Sequence, residues 1–224
     1  MLRRVFFLSH TYEPVDIPTQ KEIDAYLPSP KQRPVLDPTD PRAFYALVQP
    51  DSYMEMRYHV QQAHLRAVDV VDAAGKEWGE AFGRPYAGVE AVDCDDAETV
   101  LVTSSSTTSP ARLVQKKLRA EGVPIGLLKI RLFRPFPVEA VLRALSGKRK
   151  AIVVDRNISF GKGGIFSDEL RAAVCNDPRR PTVFGYITGL GGRDITPDLL
   201  ESIVRDAMEA DAPEGDAVFR GLLS

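Results

Sequence analysis

The sequence contains few of the residues that bind metals, with two cysteines and three histidines among 224 residues. Cys94 and Cys175 lie far apart and belong to no CxxC or Cys/His pattern. Because zinc and iron-sulfur sites need several thiolates or imidazoles at short spacings, the chain cannot supply such a site alone. His59 and His64 fall on different faces of a helix. We therefore expect no metal on this chain, two reduced thiols that are buried or half-buried, and two histidines on a helix surface.

The sequence also lacks a strong charge of one sign and a long apolar run. Its 29 basic and 31 acidic residues give a net charge of -2, so no long-range field attracts a polyanion. The apolar run at residues 5–8 is far shorter than the core of a signal peptide or a membrane span, and we expect a strand there. These features predict a cytoplasmic protein that binds neither nucleic acid nor a membrane.

Proline is concentrated near the start of the sequence, in residues 11–50. Because proline is excluded from central strands and helix interiors, we predict an extended arm over residues 1–50. A short helix fits at 19–27, where Thr19 and Glu22 form a capping box. Apolar residues then recur at spacings of three and four, which predicts a linker helix within 51–90 that Trp78 and Phe82 anchor and Gly83 ends.

The remaining residues, 91–224, alternate strand and helix patterns. This alternation predicts an α/β fold, a small doubly wound parallel sheet preceded by the proline-rich arm and the long helix. The predicted strands are 99–103, 125–132, 151–155 and 182–188. The predicted helices are 109–121, which Ser109 caps, and then 138–145, 164–175 and 197–208, the last of which Thr196 caps with Pro197 in its first turn.

Three loops between these elements are candidate sites. Residues 104–109 are all serine or threonine. Because they precede a helix N-terminus, they could hold an anion. They contain no glycine, which a backbone that wraps closely around an anion usually needs, so we favour helix capping and interface hydrogen bonds. Residues 159–164 contain three glycines but do not match a nucleotide-binding glycine pattern, which argues against a nucleotide-binding dehydrogenase domain. We favour a tight turn that admits a neighbouring chain. In residues 191–197, Arg193 could pair with a carboxylate across an interface, with Asp194, or with Asp155.

Four segments together resemble a known enzyme family. They are FFLSHTYEPV at 6–15, RLFRPFP at 131–137, DRNISFG at 155–161 and GLGGRDITP at 189–197. They resemble the alpha subunit of the pyruvate (2-oxoacid):ferredoxin oxidoreductases, in its C-terminal portion. The resemblance implies a domain like the C-terminal domain of transketolase, and it makes residues 1–50 a remnant of the junction with an N-terminal domain that supplies much of the thiamine diphosphate site.

For the assembled enzyme, the resemblance implies oxidative decarboxylation of a 2-oxo acid, with pyruvate expected, to an acyl-coenzyme A, with electrons passed to ferredoxin. The implied cofactors are thiamine diphosphate, Mg²⁺ and [4Fe-4S] clusters, none of them bound by this chain alone. The implied partners are the front domain of the alpha subunit and the beta, gamma and delta subunits.

This chain would then be mainly structural, and inactive when isolated. No catalytic residue is assigned, and the candidates for interface or second-layer roles are His10, Arg193 and Asp194. The alternative is a non-catalytic fragment that acts only as an interaction or assembly module.

Overall fold

The computed structural model describes residues 16–27, 36–42 and 47–223. The contacts within the chain divide it into two compact units, Met1–Tyr86 and Ala87–Ser224. In the first unit, helix α1 spans Gln20–Tyr26 and helix α2 spans Pro50–Phe82. Outside α1, the described residues of the predicted arm up to Gln49 form neither helix nor strand, and Pro50 begins α2. The strand predicted at residues 5–8 lies outside the described residues.

Local sequence signals set the ends of both helices in the first unit. The Thr19 hydroxyl accepts a hydrogen bond from the Glu22 N–H, and the Glu22 carboxylate accepts one from the Thr19 N–H, so the predicted capping box is confirmed. Helix α2 ends where Gly83 adopts a left-handed conformation with φ of 69°, as predicted. Near this end Trp78 and Phe82 pack together and both contact the Tyr26 ring, with ring centroids 4.3 to 5.6 Å apart.

The second unit is built on one sheet. Its strands are β1 (Val89–Val92), β2 (Thr99–Ser104), β3 (Ile125–Ile130), β4 (Lys150–Asp155), β5 (Thr182–Ile187) and β6 (Val218–Phe219). Its helices are α3 (Thr108–Ala120), α4 (Val138–Leu145), α5 (Ile165–Val174) and α6 (Pro197–Glu209). Two short 3-10 turns, Ser105–Thr107 and Leu190–Gly192, follow β2 and β5.

The six strands are arranged in the order β1-β3-β2-β4-β5-β6. Strand β1 is antiparallel to β3, and every other pair of neighbours is parallel. Buried residues of α3 and α6 pack on one face of the sheet, and buried residues of α4 and α5 pack on the other. The predicted doubly wound α/β fold is confirmed, because a mostly parallel sheet here has helices on both faces.

The sequence prediction missed both outer strands and misplaced one helix start. Strands β1 and β6 are short and lie at the sheet edges, where pairing with the rest of the sheet decides their conformation. Ser109 does not cap α3, because β2 runs on to Ser104 and a 3-10 turn leads directly into a helix that begins at Thr108. The predicted cap of α6 is confirmed, since the Thr196 hydroxyl accepts from the Leu199 N–H at 3.2 Å and Pro197 follows.

A buried lysine holds the other end of α6. The Nζ of Lys150, at the start of β4, donates to the carbonyl oxygens of Ala207, Met208 and Ala210 at 2.9, 2.7 and 2.6 Å. These carbonyls are the unpaired acceptors at the helix C-terminus, where a positive charge is favourable. This contact fixes the last helix against the sheet. None of the described helices combines the length and the apolar character needed to cross a bilayer.

Candidate functional site at the carboxyl edge of the sheet

The strand order of the sheet has a topological switch point between β2 and β4. Strand β3 follows β2 on one side, and β4 then pairs with β2 on the other side. In open parallel sheets the crevice at the carboxyl ends of two such strands is the usual ligand site. Here Arg156, which follows β4, donates from Nη1 to the Ser106 hydroxyl at 2.8 Å. A side-chain bridge within the chain therefore spans this crevice.

Asp155, the last residue of β4, caps helix α5 from the sheet. Its two carboxylate oxygens accept hydrogen bonds from the N–H groups of Phe166 and Ser167 at 2.9 and 3.0 Å, and from the Asn157 amide at 3.1 Å. The Asn157 side-chain oxygen in turn accepts from the Ile165 N–H at 2.8 Å. These contacts satisfy the first free N–H groups of the helix. Asp155 is thus a structural residue, and Arg193 is not the group that holds its carboxylate.

The environment of Asp155 acts on its ionisation in two opposite ways. Burial raises the pKa of Asp155, because removal from water disfavours the charged carboxylate, while the hydrogen bonds from Phe166, Ser167 and Asn157 act to lower it. The pKa lies above its ordinary value. Asp155 also explains why residue 164 of the 159–164 loop is a glycine. A Cβ at this position would lie 2.1 Å from Oδ2 of the Asp155 carboxylate, which leaves no room for a side chain.

The loop at 159–164 forms the tight turn that the sequence predicts, since the Lys162 N–H donates to the Ser159 carbonyl oxygen at 3.0 Å. Its contact with a neighbouring chain stays a prediction. Within the chain, Gly164 lies against Asp155, and a Cβ on Gly163 would lie 3.0 Å from the carbonyl oxygen of Asp216. The sequence carried a signal for this arrangement, namely an acidic residue at a strand end followed by two adjacent glycines before a helix.

A cleft of about 150 Å³ lies where β5 and β6 end. Its walls are residues 187–190, residues 219–222 and the side chain of Arg193, and we call it the β5–β6 cleft. Arg193 is exposed and donates from Nη1 to the Gly221 carbonyl oxygen, which connects the two walls. Thr188, buried beside the cleft, has no hydrogen-bond partner for its hydroxyl. Sequence reasoning missed Thr188 and the wall at 219–222, because only the fold brings them together.

The residues predicted from the sequence as site or surface residues differ in where the structure places them. Asp194 lies next to Arg193 in the loop after β5 and is exposed, and both remain predicted interface residues. His10 lies outside the described residues. His59 and His64 are both exposed on helix α2, as predicted. Cys94 is buried, but Cys175 is exposed, which corrects the expectation for the second thiol because Cys175 follows the last turn of α5.

Comparison with known proteins connects this domain to one enzyme family. Residues 97–200 match the family model described as pyruvate:ferredoxin oxidoreductase core domain II. The chain is 42% identical over 217 residues to the pyruvate synthase subunit PorA of Methanothermobacter thermautotrophicus, a match that covers 97% of this chain and 55% of that subunit. The chain is therefore similar to these subunits over almost its whole length. It is also 39% identical over 210 residues to the ketoisovalerate oxidoreductase subunit VorA of Pyrococcus horikoshii, covering 92% of this chain and 53% of that one.

The chain therefore spans about half the length of the curated relatives it matches. Among solved structures, it is similar to the 2-oxoglutarate:ferredoxin oxidoreductase from Magnetococcus marinus. That match has 21% identity and a TM-score of 0.40, and it covers 55% of this chain and 20% of that one. The similarity to the family is carried by the sequence matches.

The described residues of this chain do not form a site for the iron-sulfur clusters or a metal ion of such an enzyme. An iron-sulfur cluster is bound by several thiolates, while this chain has two cysteines, one buried in the loop after β1 and one at the surface. The part of the chain that the structure describes contains no group of three His, Cys, Asp or Glu residues placed to hold a metal ion.

Proposed function

We propose that this chain is part of the alpha subunit of a 2-oxoacid:ferredoxin oxidoreductase that oxidatively decarboxylates pyruvate to an acyl-coenzyme A and passes the electrons to ferredoxin. The single observation that carries the proposal is the 42% identity to a pyruvate synthase subunit across 97% of the chain. The identities to ketoisovalerate oxidoreductase subunits, 38 and 39%, lie within the range of 34 to 42% for pyruvate synthase subunits, so the choice of pyruvate rests on this one match.

In this proposal the chain is mainly a structural component. The charged groups at the carboxyl edge of its sheet support that role, because Asp155 caps α5 and Arg156 bridges to Ser106 within the chain. Thiamine diphosphate, Mg²⁺ and the [4Fe-4S] clusters belong to the rest of the alpha subunit and to the beta, gamma and delta subunits. When bound, thiamine diphosphate supplies the carbanion chemistry of decarboxylation.

The same proposal places three residues at contacts with these partners. Arg193 and Asp194 are exposed on the loop after β5, where they are accessible to a neighbouring subunit. His10 belongs to the segment that resembles the junction between the two alpha-subunit domains. We also propose that the assembly is cytoplasmic.

Copurification from the native organism tests this proposal. The chromosomal copy of the gene would carry an affinity tag, and the proteins bound to it under anaerobic conditions would be identified by mass spectrometry. We expect the remaining part of an alpha subunit together with beta, gamma and delta subunits in fixed ratio. Recovery of the chain alone would contradict the proposal and would support the alternative, a non-catalytic assembly module.

A further inference from the structure

The β5–β6 cleft carries positive charge and hydrogen-bond donors without an acidic side chain in its wall. The described residues that line it include Arg193 and Arg220 and no aspartate or glutamate. Arg220 is partly neutralised from outside the cleft, since its Nη2 lies 3.1 Å from Asp206 and 4.0 Å from Glu214. Arg193 uses one N–H on the Gly221 carbonyl oxygen, and guanidinium groups have five. The cleft therefore favours an anionic ligand with oxygen acceptors.

Two further polar groups at the cleft have unmet hydrogen-bonding capacity. The hydroxyl of Thr188 and the Nε of Arg220 are buried and have no partner in the structure, and Thr188 is only 3% exposed. Buried polar atoms without a partner are uncommon in folded proteins, and each one calls for a physical explanation such as a bound group. Both residues are among those that line the cleft.

The remaining wall of the cleft is apolar and partly open to solvent. Leu190, Phe219 and Leu222 line it and are 36%, 40% and 69% exposed. A bare inorganic anion would leave these side chains in contact with water, whereas a ligand with a short hydrocarbon tail would cover them. A cavity of about 150 Å³ is the size that encloses a benzene-sized molecule, which limits the ligand to about six or seven non-hydrogen atoms.

We propose that the β5–β6 cleft binds a small aliphatic carboxylate, with the carboxylate at Arg193 and the tail against Leu190 and Leu222. This goes beyond the proposed function, which needs no ligand on this chain. The site lies at the carboxyl edge of the sheet, but at β5 and β6 rather than at the crevice between β2 and β4 that Arg156 bridges.

Titration of the full chain with isobutyrate tests this proposal, with binding measured by calorimetry and by amide chemical shifts. We expect saturable binding with a dissociation constant on the order of 1 mM, as suits a ligand of six non-hydrogen atoms. The largest shifts should fall on the amides of residues 189–193 and 221. Isobutyramide, which has the same shape without the charge, should bind at least tenfold more weakly, and so should inorganic phosphate, which has no tail.

Two variants and their matched controls identify the cleft. Arg193→Gln should weaken isobutyrate binding about tenfold by removing the charge-assisted hydrogen bonds, and Leu222→Ser should weaken it severalfold. Both side chains are exposed, so folding should be unaffected. Arg143→Gln on α4 and Leu113→Ser on α3, exposed residues away from the cleft, should leave affinity unchanged.

Three results would each overturn the proposal. These are the absence of saturable binding up to about 50 mM, equal affinity for isobutyramide or phosphate, and equal losses in the cleft variants and their controls. Because the titration uses the isolated chain, its outcome does not depend on whether the chain is part of an oxidoreductase complex. Failure of this proposal and failure of the proposed function are therefore distinguishable.

Discussion

The carboxylate of Asp155 occupies the space in which Gly164 would carry a side chain. A Cβ at that position would lie 2.1 Å from Oδ2 and 2.4 Å from Cγ of the carboxyl group. The absence of a side chain at Gly164 thus allows the end of β4 to contact the first turn of α5. The same carboxylate accepts the N–H groups of Phe166 and Ser167, so the strand end, the glycine and the helix start form one unit.

Gly164→Ala should therefore destabilise the chain. The added methyl group must displace a buried, hydrogen-bonded carboxylate, and we expect a loss of about 2 to 4 kcal/mol in the free energy of unfolding. Urea denaturation followed by circular dichroism measures it. Gly215→Ala is a matched control, because a Cβ at Gly215 meets no atom within 4 Å and should change stability little. Equal stability of the two variants would contradict the close contact with Asp155.

The stability of the chain should depend on pH through Asp155. Burial raises the pKa of this carboxyl above its ordinary value of 3.8, so the folded state favours the protonated form. Its stabilising contribution is then fully present below 3.8 and declines as the pH rises through the folded-state pKa. Relative to Asp155→Asn, which stays uncharged, the parent chain should lose stability over that pH range. Unfolding curves at several pH values would contradict this if the parent gained stability instead.

Glu90 on strand β1 should show the opposite pH dependence. Burial alone would raise the pKa of Glu90, but the hydrogen bond from Arg112 and the positive charges of Arg112, Lys129 and Arg131 hold it below the ordinary value of 4.5. The Nζ of Lys129 and the Nη2 of Arg131 lie 3.9 and 3.8 Å from Oε2 of Glu90. Its stabilising contribution is present above pH 4.5 and is lost as the pH falls through the folded-state pKa.

Glu90→Gln should accordingly cost about 0.5 to 1 kcal/mol at neutral pH, with the difference from the parent vanishing in acid. Glu139→Gln is the control, since Glu139 is almost fully exposed and its Oε2 lies 3.9 Å from Nη1 of Arg143 on the same helix. Urea unfolding at pH 7 and at pH 3 separates the two variants. A loss for Glu90→Gln that persists unchanged at pH 3 would rule out the ion cluster as its cause.

The two thiols should differ widely in reactivity. Cys94 is buried, burial raises its pKa, and its Sγ lies 3.6 Å from each of the carbonyl oxygens of Val92 and Leu127. Cys175 is exposed. Because the thiolate is the reactive form, iodoacetamide should modify Cys175 quickly and Cys94 only after unfolding. Mass spectrometry of peptides from timed samples measures both rates, and rapid labelling of Cys94 in the native chain would contradict its burial.

Local sequence signals predicted the parts of the fold that depend on neighbouring residues. Thr19 with Glu22, Gly83, and Thr196 with Pro197 marked helix ends that the structure confirms, because capping involves residues within one turn. The four inner strands were predicted from their apolar runs. By contrast, Ser109 was wrongly assigned as a cap, since the length of β2 and the 3-10 turn after it are decided by pairing with β3.

The candidate site was less predictable, because its residues come from distant parts of the chain. Arg193 was singled out from its glycine-flanked loop, but its contact with Gly221 depends on β6 pairing beside β5. The contact of Asp155 with Gly164 and the N-terminus of α5 likewise requires the β4 and α5 geometry. Sequence patterns were enough to identify the loops as candidate sites. The contacts of their side chains could not be predicted, because they depend on tertiary structure.

The most direct measurement is pyruvate-dependent reduction of ferredoxin by the complex that copurifies with this chain, assayed anaerobically with coenzyme A. The proposed function predicts activity that follows the chain through purification and that is lost when the chain is depleted with an antibody and restored when the purified chain is added back. Complete activity in the depleted fraction, with none associated with the chain, would contradict its assignment as part of the enzyme.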